Sequence, residues 1–190
     1  MMTLRSENRS DQWLALLLIV CGVFFRVLPH PDNFTPVTAI ALFSGVVLPT
    51  SLALTVPLLI MMASDLAIGL HPLIWLVWGS FLAVVLIGVW ARSGAGAGRV
   101  IAGAFGGSVM FFVLTNLGVF LFENMYPKNW DGFVQCYVMA LPFFRNTLAG
   151  DLLYTFSLFS LFLAAKWSHH LLAAIAKPSA ASRPKRWWDG

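Results

Sequence analysis

The chain alternates between long apolar runs and short breaks that are polar or contain proline. The runs are long enough to cross a bilayer, because a transmembrane helix takes about 20 predominantly apolar residues. They predict six helices, of which the second is short for a span and is expected either to be tilted little or to be covered by its neighbours. The predicted helices cover residues 13–28, 35–48, 52–70, 73–90, 100–122 and 146–167.

One further apolar segment does not fit this series. Residues 136–144 are apolar and aromatic but too short to span, and they follow the longest polar connection, 123–135. We therefore expect them to lie at the membrane interface or to cap the bundle. The pattern as a whole predicts three parts, namely a cytosolic segment 1–12, a six-helix membrane domain 13–167 and a basic cytosolic tail 168–190.

Composition supports an all-α integral membrane protein. Hydrophobic residues make up 59% of the 190 residues and charged residues only 11%, whereas about a quarter of a soluble domain is charged. The net charge of +4 comes from short loops and tails, so no nucleic-acid partner is indicated. Two cysteines give no disulfide framework. The first apolar run lacks a small-x-small cleavage site, which favours a retained helix over a signal peptide.

The distribution of basic residues predicts the orientation. Both termini and the connections 48–51 and 92–99 would share one side of a six-helix bundle, and that side carries nine of the 12 lysines and arginines. The opposite side carries Arg26, Lys128 and Arg145. The positive-inside rule then places both termini in the cytoplasm.

Polar side chains collect at the opposite, outer side. The break after the first helix is pinned by Pro29, Pro31 and Pro36, which forbid a continuous helix. Burying an ionisable group at membrane depth costs free energy unless the group is paired or hydrated. Aromatic walls with a few polar groups are typical of a small-molecule pocket. The candidate substrate-binding residues are Arg26, His30, Asn33, Asp65, His71, Trp75, Asn116, Cys136, Phe143, Arg145, Asn146, Asp151 and Tyr154.

Each candidate also has a structural interpretation. The residues of the proline-rich break could simply lie among lipid headgroups. Asp65 could cap or hydrogen-bond a neighbouring helix, and Asn116 could join two helices. Asp151 and Tyr154 lie one turn apart on one helical face, but Asp151 could equally form an ion pair with Arg145.

Motifs for catalysis are missing from the sequence. Ser44-Gly45 follows Leu42-Phe43, so the Gly-x-Ser-Gly of an intramembrane serine protease is not present. There is no His-Glu-x-x-His zinc motif. We therefore expect neither an enzyme nor a metal site.

Several motifs resemble a family of uncharacterised bacterial membrane proteins with a suggested role in transport, over residues 24–160. That family is similar to the substrate-binding (S) components of energy-coupling factor (ECF) transporters. The motifs that carry the resemblance are Arg26-Val-Leu-Pro-His-Pro-Asp-Asn-Phe-Thr-Pro-Val37, Ala39-Ile-Ala-Leu-Phe-Ser-Gly45, Ser64-Asp-Leu-Ala-Ile-Gly-Leu-His71, Phe112-Val-Leu-Thr-Asn-Leu-Gly118, Tyr126-Pro127, Cys136-Tyr137 and Ala140-Leu-Pro-Phe-Phe-Arg-Asn-Thr-Leu-Ala-Gly-Asp151.

The resemblance implies a six-helix, multi-pass protein of the bacterial inner membrane with an outward-facing pocket for a vitamin or related micronutrient. It also implies an ECF coupling protein and paired ATPases as partners, so that ATP would be hydrolysed by a partner chain and this chain would need no cofactor. Cobalamin is the leading cargo by analogy, with Cys136, His30 and His71 as candidate ligands for its cobalt. Solitary operation is an open alternative.

Two functional hypotheses follow. The first is a substrate-binding and transport protein that takes up a small organic micronutrient through an outward-facing pocket. The second is a membrane assembly or docking factor whose outer polar residues bind another membrane protein. A closed-bottom pocket would favour the first, and polar residues on a convex rim would favour the second.

Overall fold

The computed structural model describes residues 7–94 and 96–176, with side chains as far as Ser168. All regular structure in this part of the chain is helical, in six helices as predicted. Most of the predicted basic tail, and the first six residues of the predicted N-terminal segment, lie outside the described residues. The helices are α1 (Arg9–Val27), α2 (Val37–Val47), α3 (Thr50–Ile68), α4 (Ile74–Arg92), α5 (Ala97–Phe122) and α6 (Trp130–Ala176).

Five of the six helices, all but α2, are long and apolar enough to cross a membrane. This is the composition of a multi-pass membrane protein, as the hydrophobic pattern predicted. The chain divides into two compact units between Leu158 and Phe159. The features described below belong to the first unit.

The last helix differs from the prediction. Residues 136–144, expected to form a separate segment at the interface, belong to α6, which begins at Trp130. Pro142 lies inside this helix, where its missing N–H removes one backbone hydrogen bond. Transmembrane helices tolerate such a residue when neighbouring groups satisfy the freed carbonyl. The prediction was wrong because the polar pair Arg145 and Asn146 interrupts the apolar pattern without interrupting the helix.

Helix α2 forms the centre of the first unit. Every residue from Val37 to Gly45 is buried, as expected for a helix that is apolar on all sides. Its 11 residues extend only about 16 Å, roughly half of the 30 Å hydrocarbon core of a bilayer. Of the two expectations for this short helix, the one that it is covered by its neighbours is therefore confirmed.

The C-terminal end of α2 is held tightly against α4. A Cβ atom added to Gly45 would lie 2.8 Å from Gly88 Cα and closer still to the carbonyl oxygen of Val85, so the two glycines allow the backbones to touch. The Arg92 guanidinium donates hydrogen bonds to the carbonyls of Gly45 (Nε–O 3.0 Å) and Leu48. It thereby satisfies carbonyls that a helix C-terminus leaves without partners. We call this region the Arg92 end.

The N-terminal end of α2 follows the connection 28–36, which is built as a tight turn. The Phe34 amide donates to the Pro31 carbonyl at 3.0 Å, and Asn33 has φ 59°, a left-handed conformation that asparagine tolerates better than most residues. This connection, the C-terminal ends of α1 and α3 and the start of α4 lie together. We call this region the cavity end.

Candidate functional site

A cavity of about 740 Å³ opens at the cavity end. It is lined by the connection 28–36 and by residues of all six helices. The lining residues are Arg26, Val27, Leu28, Pro29, His30, Asp32, Asn33, Thr35, Thr38, Ile68, His71, Val77, Phe81, Phe111, Phe112, Thr115, Asn116, Val119, Ala140, Phe143, Phe144 and Thr147.

The walls of the cavity are largely aromatic. Phe81 and Phe111 pack against each other with ring centroids 5.0 Å apart, and Phe112 and Phe144 with centroids 4.7 Å apart. Phe143 completes the aromatic lining. Such faces suit the apolar body or the ring of an organic ligand.

The polar groups on α5 and α6 are oriented by their own helices. Thr115 Oγ1 donates to the Phe111 carbonyl at 2.8 Å, and Asn116 Nδ2 donates to the Phe112 carbonyl at 2.8 Å. Thr147 Oγ1 makes the same type of bond to the Phe143 carbonyl at 3.0 Å. Each side chain has therefore used a donor and keeps oxygen lone pairs available. This side of the cavity presents hydrogen-bond acceptors.

Arg26 is held at the edge of the cavity by a buried carboxylate. Its guanidinium forms an ion pair with Asp65 and donates to Ser64 Oγ at 2.5 Å. Trp78 Nε1 donates to the other Asp65 oxygen at 2.8 Å. The Asp65 side chain is only 2% exposed and does not line the cavity. Both carboxylate oxygens are thus satisfied, and the Arg26 charge is neutralised inside the protein.

The predicted site residues fall into two groups. Arg26, His30, Asn33, His71, Asn116 and Phe143 line the cavity. The other seven predicted residues do not, and they are Asp65, Trp75, Cys136, Arg145, Asn146, Asp151 and Tyr154.

Three of the second group lie around the cavity. Trp75 is half exposed and packs edge-on against Phe122 at 5.4 Å. Cys136 is buried and directs its thiol to the Asn116 carbonyl at 3.5 Å. Asn146 Nδ2 donates to the Asp32 carbonyl at 3.1 Å and so attaches the connection 28–36 to α6.

Apart from Asp65, described above, the rest of the second group belongs to α6. Arg145 is exposed, and among the described residues it forms no ion pair with Asp151. Asp151 is 1% exposed and lies with its Oδ2 2.6 Å from Ser108 Oγ. Tyr154 packs against the rings of Phe25 and Phe34.

The sequence analysis did not single out several lining residues. Thr38 lines the cavity from the first turn of α2, and Phe81, Phe111 and Thr147 line it from within α4, α5 and α6. Nothing in the hydrophobic pattern distinguishes them from packing residues. These helices are largely apolar, and no amphipathic stripe shows which face lines a cavity.

The cavity lining carries few charged side chains. Arg26 and Asp32 are the lining residues of this kind among those described. Arg26 is paired with Asp65, which does not line the cavity, so Asp32 is left without an ion pair in the described part of the chain. His30 has both ring nitrogens next to backbone carbonyls, of Pro31 at 2.9 Å and Arg26 at 3.1 Å. In the described part of the chain no three His, Cys, Asp or Glu side chains come together as metal ligands would.

Comparison with known protein families matches residues 6–176 to DUF6580, a family of unknown function. No curated protein and no solved structure matches the chain significantly. The match covers most of the chain, including α1–α6 and every residue that lines the cavity. The chain therefore belongs to the DUF6580 family.

Proposed function

We propose that the protein is a membrane-embedded substrate-binding protein that takes up a small organic micronutrient through the cavity. The observation that carries the proposal is the cavity itself, which is concave, aromatic-walled and supplied with a few oriented polar groups. These are the properties of small-molecule sites, whose volumes run from about 300 to 1,000 Å³.

The burial of the lining residues supports capture over docking. Thr38 and Phe81 line the cavity and are each 5% exposed, and α2 is buried from Val37 to Gly45. A pocket lined by such buried residues suits a ligand that is held and then released by movement of helices. A docking face for another membrane protein would place the same polar groups on a convex rim.

The lining also suggests the chemistry of the cargo. The acceptors on Thr115, Asn116 and Thr147 would bind N–H or O–H groups, and the phenylalanine rings would bind a flat apolar or heteroaromatic body. The small number of charged side chains on the lining favours a cargo without a large net charge. Cobalamin, the cargo suggested by analogy, is much larger than the ligands that cavities of this volume enclose. We therefore favour a smaller, vitamin-like molecule with a ring and several hydrogen-bond donors.

In this proposal the cavity faces outward and both termini are cytoplasmic. Arg92 and Arg99 lie at the end away from the cavity, where the positive-inside rule expects cytoplasmic basic residues. The six helices suit the proposed relationship to ECF S components, so a coupling protein and ATPases would be the partners. A membrane-impermeant maleimide should then label Asn116→Cys in intact cells and Ser93→Cys only after permeabilisation. The reverse pattern would overturn the orientation.

A thermal-shift screen of micronutrients against the purified protein tests the capture function. A ligand that binds only the folded state stabilises it, so at least one compound should raise Tm. The shift should disappear in Asn116→Ala, which lines the cavity, and persist in Arg145→Ala, which does not. A shift of equal size in both variants would place binding outside the cavity.

A further inference from the structure

A second buried polar site lies behind the cavity, where α2, α5 and α6 meet. Asp151 of α6 is 1% exposed, and its Oδ2 lies 2.6 Å from the Ser108 hydroxyl of α5. Thr38 of α2 packs against α5 beside Ser108, because a Cβ atom added to Gly107 would lie 3.7 Å from Thr38 Cγ2. Thr38 is also a cavity-lining residue, so one side chain borders the cavity and packs beside Ser108.

No basic side chain in the described part of the chain forms an ion pair with Asp151. Helix α2 has no titratable residue, and the only one on α5 is Arg99, which donates to Ser93 at the Arg92 end. The titratable or charged groups of the cavity end are Arg26 and Asp65, which pair with each other, and His30, Asp32 and His71. On α6 itself, Arg145 and Tyr154 lie within about two turns of Asp151.

The Ser108 hydroxyl has a single hydrogen and lies within hydrogen-bond distance of two oxygen atoms. Ser108 Oγ lies 3.0 Å from the Ala104 carbonyl and 2.6 Å from Asp151 Oδ2. Its single hydrogen can serve only one of these two oxygens, and a carbonyl cannot donate. If Asp151 carries a proton, it donates to Ser108 while Ser108 donates to Ala104. Both contacts are then hydrogen bonds.

A further hydroxyl is available one turn along the same helix. Thr155 Oγ1 is buried and has no hydrogen-bond partner in the described part of the chain. Its position four residues after Asp151 puts it on the same helical face. Buried polar atoms without partners are rare, and this hydroxyl could donate to the carboxylate once the proton has left.

We propose that Asp151 is a proton-binding site, and that Thr38 links this proton to occupation of the cavity. The linkage rests on the proposed function, whereas the proton site does not. A lone carboxylate at membrane depth is costly, so the proton keeps the junction of α2, α5 and α6 neutral and closed. A cargo that engages Thr38 changes the packing beside Ser108 and thereby the hold of the carboxyl group on its proton.

Infrared difference spectroscopy on the purified full-length protein tests the site without any cargo. A protonated carboxyl group has a C=O stretching band that an ionised carboxylate lacks. We expect this band to be lost in Asp151→Asn and kept in Asp65→Asn, because Asp65 forms an ion pair with Arg26. In Thr38→Val the band should move, since the substitution changes the packing beside Ser108. If wild type and Asp151→Asn have the same band, Asp151 holds no proton and the proposal is overturned.

The link to the cavity is tested by filling the cavity artificially. A bulky aromatic maleimide is attached at Asn116→Cys in a background that lacks Cys21 and Cys136. The label should shift the Asp151 band, whereas the same label at Ser93→Cys, an exposed position, should leave it unchanged. A band that both labels leave unchanged would overturn the link. Failure of every micronutrient to bind would instead overturn the proposed function and leave these results standing.

Discussion

The two ends of α2 differ in how closely the neighbouring helices pack against them. At the Arg92 end, the backbones of α2 and α4 touch at Gly45 and Gly88, and Arg92 satisfies the last carbonyls of α2. At the cavity end, the first turn of α2 follows Pro36 without a side-chain hydrogen bond to cap it. The helices there separate around a cavity of about 740 Å³. The Arg92 end is therefore closely packed, whereas the helices at the cavity end stand apart.

At the cavity end, polar groups bond to each other and thereby join neighbouring helices. Arg26 and Asp65 join α1 to α3, and Trp78 adds α4. Asn146 attaches the connection 28–36 to α6. Helix α2 is short and buried. It can border a cavity at its N-terminal end because its C-terminal end is fixed against α4. The four predictions below test this contrast, from the largest expected effect to the smallest.

Removing the carboxylate at the cavity end should destabilise the protein most. Asp65→Ala leaves Arg26 charged and partly buried, and breaking a buried pair in this way costs about 3–5 kcal/mol. Unfolding in mixed detergent and SDS, followed by circular dichroism, measures the loss. The double variant Arg26→Met with Asp65→Leu removes both charges and should recover much of the stability. A loss below about 1 kcal/mol in Asp65→Ala would mean that the pair behaves like an exposed one.

Filling the close contact at the Arg92 end should have the next largest effect. The methyl group of Gly45→Ala meets the α4 backbone, which cannot move aside as a side chain can, so we expect a loss of about 1–3 kcal/mol. The matched control is Gly79→Ala on α4, where an added Cβ meets nothing within 4 Å. This control should be neutral or gain up to about 1 kcal/mol. Equal effects in the two variants would contradict the close contact.

Removing the cap at the Arg92 end should cost less. Arg92→Ala takes donors from the carbonyls of Gly45 and Leu48, for a loss of about 1–2 kcal/mol in the same unfolding assay. Arg92→Lys keeps the charge but not the forked geometry, so its stability should be intermediate. A lysine variant as unstable as the alanine variant would show that charge near α2 contributes nothing.

Changing the cavity lining should have the smallest effect on folding. In the described part of the chain the Asn116 side chain bonds only to a carbonyl of its own helix, so Asn116→Ala should change the free energy of unfolding by less than about 0.5 kcal/mol. The same variant should lose the stabilisation that a bound cargo gives the wild type. The unfolding assay with and without the cargo separates the two effects. A large loss of stability without cargo would assign Asn116 a structural role.

The helices could be predicted from the sequence because apolar runs and proline breaks are local signals. The start of α6 could not, since Pro142 and the polar pair Arg145 and Asn146 imitate a break inside a continuous helix. The short α2 was predictable from its length, which left covering by its neighbours as one of two expectations.

The site was only partly predictable for a related reason. Polar residues near the helix ends, such as His30, His71 and Asn116, stand out against an apolar background, and these three line the cavity. Long-range pairing does not show in the pattern, so Asp65 could not be separated from the lining residues before its bonds to Arg26 and Trp78 were known. Thr38 and Phe81 carry no signal at all, because their helices are apolar on all sides.

Native mass spectrometry of the protein, expressed in rich medium and released gently from detergent, tests the central claim most directly. We expect a small molecule in the mass range of vitamins to remain bound to the wild type and to Arg145→Ala, and to be lost from Asn116→Ala. A protein that is empty in all three forms, and that instead co-purifies with a second membrane chain in fixed ratio, would contradict capture and favour docking.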